Sequence, residues 1–440
     1  MSPRHSIHRL IVAGLGLLPA ALFAAEVAPK TLRFDFGSGP VAAGYTSVSG
    51  KTLYTVELGY GFEPDATITD VSRESADALR GDFCTSDAPF YFSCAVPEGN
   101  YRVTVTLGDA AGMSDTTVKA ELRRLMLESV RTAKGEFVTR SFIVNARQPK
   151  IAGGGEVRLK APRENTQEAW AWDERITLEF NGFRPCVCAV EVTPVEVPTI
   201  FLIGDSTVCD QSREPFNSWG QMLPRFFKPE IAIANHGESG ETYRDSIGRR
   251  RLDKMLSVMK PGDYLFMQFG HNDQKQIAAG TGGPFTTYKA ELKTHVEAAR
   301  ARGGIPVVVS PMERRNFDDA GKIKPSLTDY AEAARQSAKE LGVAFIDLNA
   351  MSIPFYEFLE AKGRDYSRKA FAGQDNTHHC NYGSYELAKC IVEGIKANKP
   401  EIAKFIQDDY AAFDPAHPDA VETFDVPQSS LVTNQKPLGN

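Results

Sequence analysis

The sequence lacks several features that would decide its function at once. Acidic residues outnumber basic ones, with a formal net charge of −6, so the chain lacks the basic character of a protein that binds nucleic acid over a broad face. Beyond residue 25 it has no apolar run long enough to cross a bilayer. Hydrophobic residues make up 42% and charged residues 24% of the 440 residues, which excludes a wholly disordered, coiled-coil or collagen-like chain. We therefore expect a globular protein of two or three domains that does not bind nucleic acid.

The first 25 residues differ from the rest. A basic start with two arginines is followed by an apolar run of 13 residues, from Leu10 to Leu22, and then by small residues. This run is too short to span a bilayer and has the length of a secretory signal. Residues 1–25 are therefore predicted to be a signal peptide that is cleaved at Ala24 or Ala25, and an uncleaved membrane anchor is the alternative. We expect the mature protein to be secreted or periplasmic, monomeric and free of the membrane.

Cysteine is scarce, and its count of seven is odd, so at least one thiol cannot pair within the chain. Export would place all seven in an oxidising compartment, so we expect at least one disulfide. Cys84 and Cys94 flank a strand-like stretch and could close a short loop. Cys186 and Cys188 would lie on one face of a strand if their segment is a strand. Free buried thiols are the alternative for several of them.

Residues 26–195 have the pattern of a β-sandwich. Short stretches in which apolar and polar side chains alternate are separated by turns with Gly, Pro and Asp. The stretch from Glu121 to Val130 fits either a short helix or a strand. Trp170 and Trp172 would lie on the same strand face, where they either stack on sugar rings or pack in the core. The alternating stretches are Leu32 to Phe36, Tyr91 to Ser93, Tyr101 to Leu107, Phe137 to Val144, Val157 to Leu159 and Ile176 to Phe180.

Residues 196–410 alternate between strands and helices, after a linker from Val192 to Pro198 with two prolines. This order predicts a parallel sheet that is covered by helices on both faces. Residues 411–440 contain four prolines and no periodicity, and we expect an extended tail that could lie across another domain. The predicted strands are Thr199 to Ile203, Ile231 to Ala234, Tyr264 to Phe269, Pro306 to Val309 and Ala344 to Ile346, and the predicted helices are Tyr288 to Arg302, Leu327 to Leu341 and Tyr385 to Ala397.

Polar turns rich in glycine follow three of these strands, and in a doubly wound sheet ligands bind beyond the carboxyl ends of strands. Ser206, in the first of these turns, is the best candidate for a nucleophile. A serine hydroxyl needs a base within hydrogen-bond reach, and a tight strand-to-helix turn also lets the backbone N–H face the reacting carbonyl. The alternative is that Ser206 or Thr207 only caps a helix. No G-x-S-x-G motif is present, which argues against a standard α/β-hydrolase.

The base for such a serine must be a histidine, and six of the eight histidines lie beyond residue 25. His378 follows Asp375 by three residues, so in a turn the carboxylate can reach back and orient the imidazole. His379 is the competing candidate, although neighbouring side chains usually diverge. His295 and His417 are expected to be structural. An ordinary polar loop is the alternative for the Asp-x-x-His pattern.

Gly240 and Asn272 are the candidates for an oxyanion hole. A glycine lets its backbone N–H approach a ligand without hindrance, and an asparagine amide offers a directed donor. Either residue could instead be an ordinary turn residue. His271 is expected to pack behind the site or to contact the substrate.

These clusters, in this order, resemble the four sequence blocks of the SGNH (GDSL-type) hydrolases. Residues 204–208 (GDSTV), 218–220 (SWG), 270–273 (GHND) and 375–378 (DNTH) are most similar to the rhamnogalacturonan acetylesterases. The resemblance implies a three-layer α/β/α fold with a flavodoxin-like parallel sheet, and a serine esterase that requires no metal or other cofactor.

The resemblance also implies the roles of individual residues. Ser206 would be the nucleophile, His378 its base and Asp375 the group that orients the base. The oxyanion hole would consist of the backbone N–H groups of Ser206 and Gly240 and the side chain of Asn272. The weaker candidates for substrate contacts are Trp219, His271 and Arg244.

The amino-terminal part is similar to the β-sandwich, of the galactose-binding type, that precedes bacterial members of this family. The similarity rests on Phe34 to Gly37, Gly44 to Thr46 and Gly59 to Phe62. Such sandwiches bind carbohydrate and sometimes hold a structural calcium ion, but no dense run of acidic residues supports one here.

One position departs from the family pattern. The second block reads Gly-Arg-Ser in many relatives, whereas here it is Gly240-Glu241-Thr242. An acid thus replaces a cation near the expected substrate, which leaves the preferred sugar open. Arg244 and residues 249–251, all arginine, follow closely and could bind galacturonate carboxylates instead, and a solvated helix face is the alternative.

We therefore expect an esterase that removes acetyl groups from an acetylated plant cell-wall polysaccharide, above all rhamnogalacturonan in pectin, through an acetyl-enzyme. Esterases for xylan or another hemicellulose, and lipid or thioester hydrolases, are alternatives with the same chemistry. A metal-dependent deacetylase would need a His/Asp cluster that the sequence does not contain. The alternative from another class is a non-catalytic polysaccharide-binding protein on the same fold.

Overall fold

The computed structural model describes residue 1, residues 30–64, residues 66–73 and residues 75–430. Most of the predicted signal peptide and the last ten residues of the predicted tail lie outside these ranges. Among the described residues, no helix combines the length and the apolar character that a membrane span requires.

Among the described residues of the first half, twelve strands form two sheets that pack face to face, which confirms the predicted β-rich domain. They are β1 (Leu32–Phe36), β2 (Thr46–Val48), β3 (Tyr60–Phe62), β4 (Thr69–Ser72), β5 (Asp82–Thr85), β6 (Phe90–Ala95), β7 (Gly99–Gly108), β8 (Ser114–Ala120), β9 (Arg124–Thr132), β10 (Phe137–Ala146), β11 (Arg175–Asn181) and β12 (Val187–Pro194). One sheet has the order β10-β7-β12-β1-β2, with β5 and β4 attached through β12, and the other has the order β3-β6-β11-β8-β9. Phenylalanine rings from both sheets fill the space between them, and the centroids of Phe36 and Phe92 are 4.9 Å apart.

Two expectations for this half were wrong. Val157 to Leu159 does not form a strand, because this stretch belongs to a long irregular segment between β10 and β11. Trp170 and Trp172 do not share a strand face, since the backbone forms a 3₁₀ turn at Ala169–Ala171. Trp172 is buried in a small cluster with Leu122 and Ile151, so the core alternative holds for it.

The expected disulfide is also absent, since all seven cysteines are free thiols. Cys84 lies on β5 and Cys94 on β6, which belong to different sheets, so these two residues do not close a loop. Cys186 and Cys188 pack beside Phe83 in a small buried cluster. Burial raises the pKa of the Cys186 thiol to about 11, so the thiol stays protonated at neutral pH.

The second half contains a five-stranded parallel sheet with the order β14-β13-β15-β16-β17. Its strands are β13 (Thr199–Gly204), β14 (Ala232–Asn235), β15 (Tyr264–Gln268), β16 (Ile305–Val309) and β17 (Ala344–Ile346). This order is that of flavodoxin-like folds, as predicted. Strand β12 continues to Pro194, so the linker is shorter than expected and comprises residues 195–198.

Helices cover both faces of this sheet. They are α1 (Trp219–Met222), α2 (Tyr243–Gly248), α3 (Arg251–Val258), α4 (Lys275–Ala278), α5 (Lys289–Ala301), α6 (Thr328–Leu341), α7 (Leu348–Ala361), α8 (Arg364–Arg368), α9 (Asn381–Asn398) and α10 (Pro400–Ala403), with 3₁₀ turns at Leu223–Phe226 and Val421–Thr423 and a π-helical turn at Pro284–Tyr288. Side chains of β13 alternate between the two faces: Ile200 and Leu202 pack with α7 and α9, whereas Phe201 and Ile203 pack with α3, α5 and α6.

The two halves are joined by buried polar contacts rather than by the linker alone. Arg123, just before β9, forms an ion pair of 2.7 Å with Glu214, and Arg124 forms one of 2.7 Å with Asp210. The described part of the tail runs back to the amino-terminal sheets, where Ser429 Oγ donates to Glu179 at 2.8 Å. The backbone N–H of Ser429 donates to Glu214 at 3.0 Å, so the tail contacts both halves.

Candidate active site

The candidate site lies at the carboxyl edge of the parallel sheet. Ser206 follows β13, Gly240 follows β14 and Asn272 follows β15, three strands that are neighbours in the sheet. Asp375 and His378 lie in the turn before α9. The topology therefore brings together polar turns that are far apart in the sequence.

Ser206, His378 and Asp375 form a continuous chain of hydrogen bonds. His378 Nε2 lies 2.9 Å from Ser206 Oγ, and His378 Nδ1 lies 2.9 Å from Asp375 Oδ2. All three side chains are buried. His379 points elsewhere, with Nε2 bonded to the Tyr356 hydroxyl at 2.7 Å. Of the two adjacent histidines, only His378 is therefore placed to take a proton from Ser206.

Asp375 is held in its charged form. Burial alone would favour the neutral carboxyl, but the hydrogen bond and charge of His378 outweigh it and hold the pKa of Asp375 well below its ordinary value. The backbone N–H groups of Thr377 and His378 also donate to Asp375 Oδ1, at 2.7 and 3.0 Å. One oxygen of the carboxylate therefore binds backbone N–H groups of the turn, and the other binds the imidazole.

Ser206 lies in a short turn that does not lead directly into a helix, since α1 begins only at Trp219. Asp205 organises this turn: its Oδ1 accepts from the backbone N–H and the hydroxyl of Thr207, at 2.9 and 2.8 Å. Its Oδ2 lies 3.4 Å from His271 Nδ1. Burial lowers the pKa of His271, so the ring is neutral near pH 7. His271 therefore packs behind the Ser206 turn rather than on an open surface.

Gly240 and Asn272 belong to two turns that contact each other. Gly240 has φ +76°, a conformation that glycine adopts without strain. Asn272 Nδ2 donates to the carbonyl of Glu241 at 3.3 Å, and its Oδ1 accepts from Lys275 Nζ at 3.0 Å. These two bonds orient the amide so that its NH₂ group lies on the side of the Gly240 turn.

Glu241 does not face a substrate, contrary to the expectation of an acid near the bound sugar. Its side chain is completely buried and lies 2.8 Å from Arg251 Nε, with Arg249 at 3.6 Å. Lys160, from the segment between β10 and β11, lies 3.8 Å from Glu241 and donates to the carbonyl of Ser239 at 2.5 Å. The amino-terminal half therefore contributes a cation to the turn that carries Gly240.

Two expected substrate contacts are placed elsewhere. Trp219 is buried in the core, with only 1% of its surface exposed, and its indole N–H donates to Gln268 at 2.7 Å. Arg244 lies on the surface of α2, where it donates to Glu291 at 2.8 Å and to the carbonyl of Thr281. Trp219 cannot stack on a sugar while it is buried, and Arg244 is already paired with a carboxylate.

Sequence reasoning missed Arg314, which connects two turns of the site. Its Nε donates to the Thr377 hydroxyl at 3.1 Å, and its Nη2 donates to the carbonyl of His271 at 3.2 Å. Arg314 lies in the polar turn that follows β16, at the same edge of the sheet. That position after a predicted strand is the signal that could have identified it.

One group of three carboxylates among the described residues is close enough to hold a cation: Glu164, Glu168 and Glu238. Arginines already occupy it, since Arg163 pairs with Glu168 and Glu238 while Arg251 lies 2.6 Å from Glu164. This donor set fits ion pairing within the protein better than it fits a metal.

Two known families match the chain. GDSL-like Lipase/Acylhydrolase matches residues 202–382, and Beta-agarase/YXIM esterase-like, galactose-binding domain-like, matches residues 32–136. The first match contains Ser206, Gly240, Asn272, Asp375 and His378.

Similar proteins include three from Bacillus subtilis. Rhamnogalacturonan acetylesterase RhgT is 36% identical over 212 residues, which cover 45% of this chain and 89% of that protein. The uncharacterized esterase YxiM is 26% identical over 380 residues, which cover 84% of this chain and 91% of YxiM. The probable rhamnogalacturonan acetylesterase YesY is 34% identical over 202 residues, which cover 45% of this chain and 92% of YesY. A crystal structure of YxiM is 24% identical, with a TM-score of 0.43 and coverage of 84% of this chain and 98% of that chain. The protein therefore belongs to the GDSL-like lipase/acylhydrolase family, and residues 32–136, ahead of the matched hydrolase residues, are similar to the galactose-binding domain-like family.

Proposed function

We propose that this protein is a serine esterase that removes acetyl groups from a plant cell-wall polysaccharide, with rhamnogalacturonan as the first candidate. The hydrogen-bonded chain from Ser206 through His378 to Asp375 is the observation that supports it. The names of the two relatives that are 36% and 34% identical support acetylated rhamnogalacturonan as the substrate.

In the proposed reaction, Ser206 Oγ attacks the acetyl carbonyl while His378 Nε2 takes the hydroxyl proton. Asp375 stabilises the imidazolium that forms and keeps Nδ1 protonated. The tetrahedral intermediate collapses with cleavage of the bond to the sugar oxygen, and His378 returns its proton to that oxygen. Water then attacks the acetyl-enzyme, again with His378 as base, and releases acetate and free Ser206.

The proposed oxyanion hole uses donors from the turns that follow three neighbouring strands. The backbone N–H groups of Ser206 and Gly240 and the Nδ2 of Asn272 would stabilise the negative charge on the acetyl oxygen. The contacts of Asn272 with Lys275 and with the Glu241 carbonyl support this role, because they orient the amide before a substrate binds. We also propose that the protein is exported, on the sequence of residues 1–25.

The test is acetate release from acetylated rhamnogalacturonan, acetylated xylan and acetylated glucomannan. We expect the highest kcat/KM on rhamnogalacturonan, and we expect Ser206→Ala to abolish release while the protein remains folded. Ser257→Ala, which removes a hydroxyl on α3, is the matched control and should retain activity. Substantial activity of Ser206→Ala would exclude the proposed mechanism, and a preference for xylan would exclude the proposed substrate.

A further inference from the structure

A cleft of about 670 Å³ lies beside the turn that carries Asp375. We call it the cationic cleft, because none of the described residues that line it is acidic. Its polar lining consists mainly of Arg315, Lys324, Arg364, Arg368, Gln374 and Asn376. A cleft with four cations and no acid in its lining stands out in a chain whose net charge is −6.

The cleft and the Ser206 site share one turn. Gln374 and Asn376, in the cleft wall, are the two neighbours of Asp375 in the sequence. The backbone N–H of Arg315 donates to the carbonyl of Asn376 at 2.8 Å. A ligand in the cleft would therefore lie next to the residues that hold His378 in place.

Arg315 lines the cleft and retains an unused donor. Only 7% of its surface is exposed, and its guanidinium lies over the Phe371 ring at 5.5 Å. Its Nη2 donates to Asn376 Oδ1 at 2.6 Å, but its buried Nε has no hydrogen-bond partner among the described residues. A buried N–H of a charged group without a partner is costly, so a ligand that accepts from it would bind with a gain in free energy.

The charges near Arg315 have both signs. Burial and the charges of Arg368 and Arg364 lower the pKa of Arg315, whereas Glu360 and Asp375 act in the opposite direction. Arg364 pairs with Glu360 at 3.2 Å and Arg368 with Asp365 at 2.7 Å, and both acids lie outside the lining. These acids partly offset the two helix arginines, while Arg315 and Lys324 remain without an acidic partner in the cleft.

We propose that the cationic cleft binds the carboxylate of a uronic acid residue in the polysaccharide whose acetyl group reaches Ser206. This inference rests on the proposed function and names the chemical class of its substrate as an acidic polysaccharide. A guanidinium matches a carboxylate through two parallel hydrogen bonds, so it selects this group better than a sugar hydroxyl. Arg315 supplies a guanidinium in the lining that has an unpartnered N–H, and the partly exposed Arg364 and Arg368 attract the anion from solvent.

The experiment measures binding in the full chain with Ser206→Ala, so that no turnover occurs. The probes are an oligogalacturonate, a neutral xylo-oligosaccharide and dextran sulfate. We expect the oligogalacturonate to bind most tightly, with a Kd that rises about tenfold when Arg364→Gln and Arg368→Gln are combined, because two positive charges that attract the carboxylate are lost. Arg335→Gln, an exposed arginine on α6 that pairs with Glu332, is the matched control and should leave the Kd unchanged.

An equal Kd for the double variant and its control would overturn the proposal. So would equal affinity for the xylo-oligosaccharide, or tighter binding of dextran sulfate than of oligogalacturonate. If the double variant does not fold, the exposed Lys324→Gln provides the same comparison with a smaller expected change. The proposed function fails in a different assay, the acetate release of the unmodified enzyme, so the two failures are distinguishable.

Discussion

Arg251 and Glu164 form an ion pair of 2.6 Å in which both side chains are completely buried. Glu164 comes from the irregular segment between β10 and β11, whereas Arg251 begins α3 beside the parallel sheet. Arg251 also binds Glu241, the residue after Gly240, at 2.8 Å. The amino-terminal half is therefore connected through two buried ion pairs to a turn of the candidate active site.

Removal of one partner from this pair should destabilise the protein. We expect Glu164→Gln to lower the free energy of unfolding by about 3 kcal/mol, because the charge of Arg251 then loses a buried partner. Denaturant unfolding measures the effect, and Glu156→Gln, an exposed residue of the same segment, is the control. Equal stability of the two variants would contradict this role of the pair.

The pairing of Asp375 with His378 should matter for turnover rather than for folding. We expect Asp375→Asn to lower kcat for a small acetyl ester on the order of 10³-fold, because the amide no longer stabilises the imidazolium or its tautomer. The chain contains a matched control in Asp414, which bonds His417 at 2.7 Å with the same three-residue spacing in the exposed tail. If Asp414→Asn reduced kcat as strongly as Asp375→Asn, the assignment of Asp375 would be wrong.

The positive φ angle of Gly240 should disfavour any other residue at this position. A side chain at φ +76° costs about 1 kcal/mol or more, and relief of that strain would move the N–H that is proposed to face the oxyanion. We therefore expect Gly240→Ala to lower kcat by at least about tenfold. Gly248→Ala is the control, since a Cβ there meets open space. Full activity of Gly240→Ala would remove Gly240 from the oxyanion hole.

His295 should make stability depend on pH. Burial lowers its pKa in the folded protein to about 4, whereas the ordinary value is 6.5. Between these values the unfolded chain binds a proton that the folded protein does not, so the free energy of unfolding falls as the pH falls, by about 1.4 kcal/mol per pH unit. Between about pH 6.5 and about pH 5, we expect His295→Gln to abolish this contribution to the pH dependence of the free energy of unfolding. Urea unfolding between about pH 5 and about pH 6.5 measures the free energy of unfolding, and His417→Gln, at an exposed histidine, is the control. If the free energy of unfolding depended on pH as strongly in His295→Gln as in the unmodified protein, this role of His295 would be contradicted.

Sequence reasoning was effective where the chemistry lies in consecutive residues. The turns after β13, β14 and β15 are local features, and the rule for parallel sheets places them at one edge. Even so, the spacing of Asp375 and His378 is identical to that of Asp414 and His417; the first pair binds the Ser206 hydroxyl, whereas the second pair lies in the exposed tail. The Asp-x-x-His spacing alone therefore does not identify the catalytic histidine, and the fold is needed to show which pair lies beside Ser206.

The errors concern residues whose partners are distant in the sequence. The sequence predicts that Glu241 lies beside the substrate, whereas in the structure Glu241 is buried against Arg251 and Lys160. From the sequence, Trp219 is a weak candidate for a substrate contact, but the structure buries it in the core. Long-range burial and pairing decide both outcomes, and no local pattern in one sequence reports them.

The contacts of Ser429 also couple the two halves of the protein. This residue bonds Glu179 in the amino-terminal sheets and Glu214 in the parallel-sheet half, and Lys119 Nζ donates to its hydroxyl at 2.8 Å. Separation of the two halves would therefore break hydrogen bonds on both sides of this one residue. We expect the halves to unfold as one cooperative unit rather than one after the other.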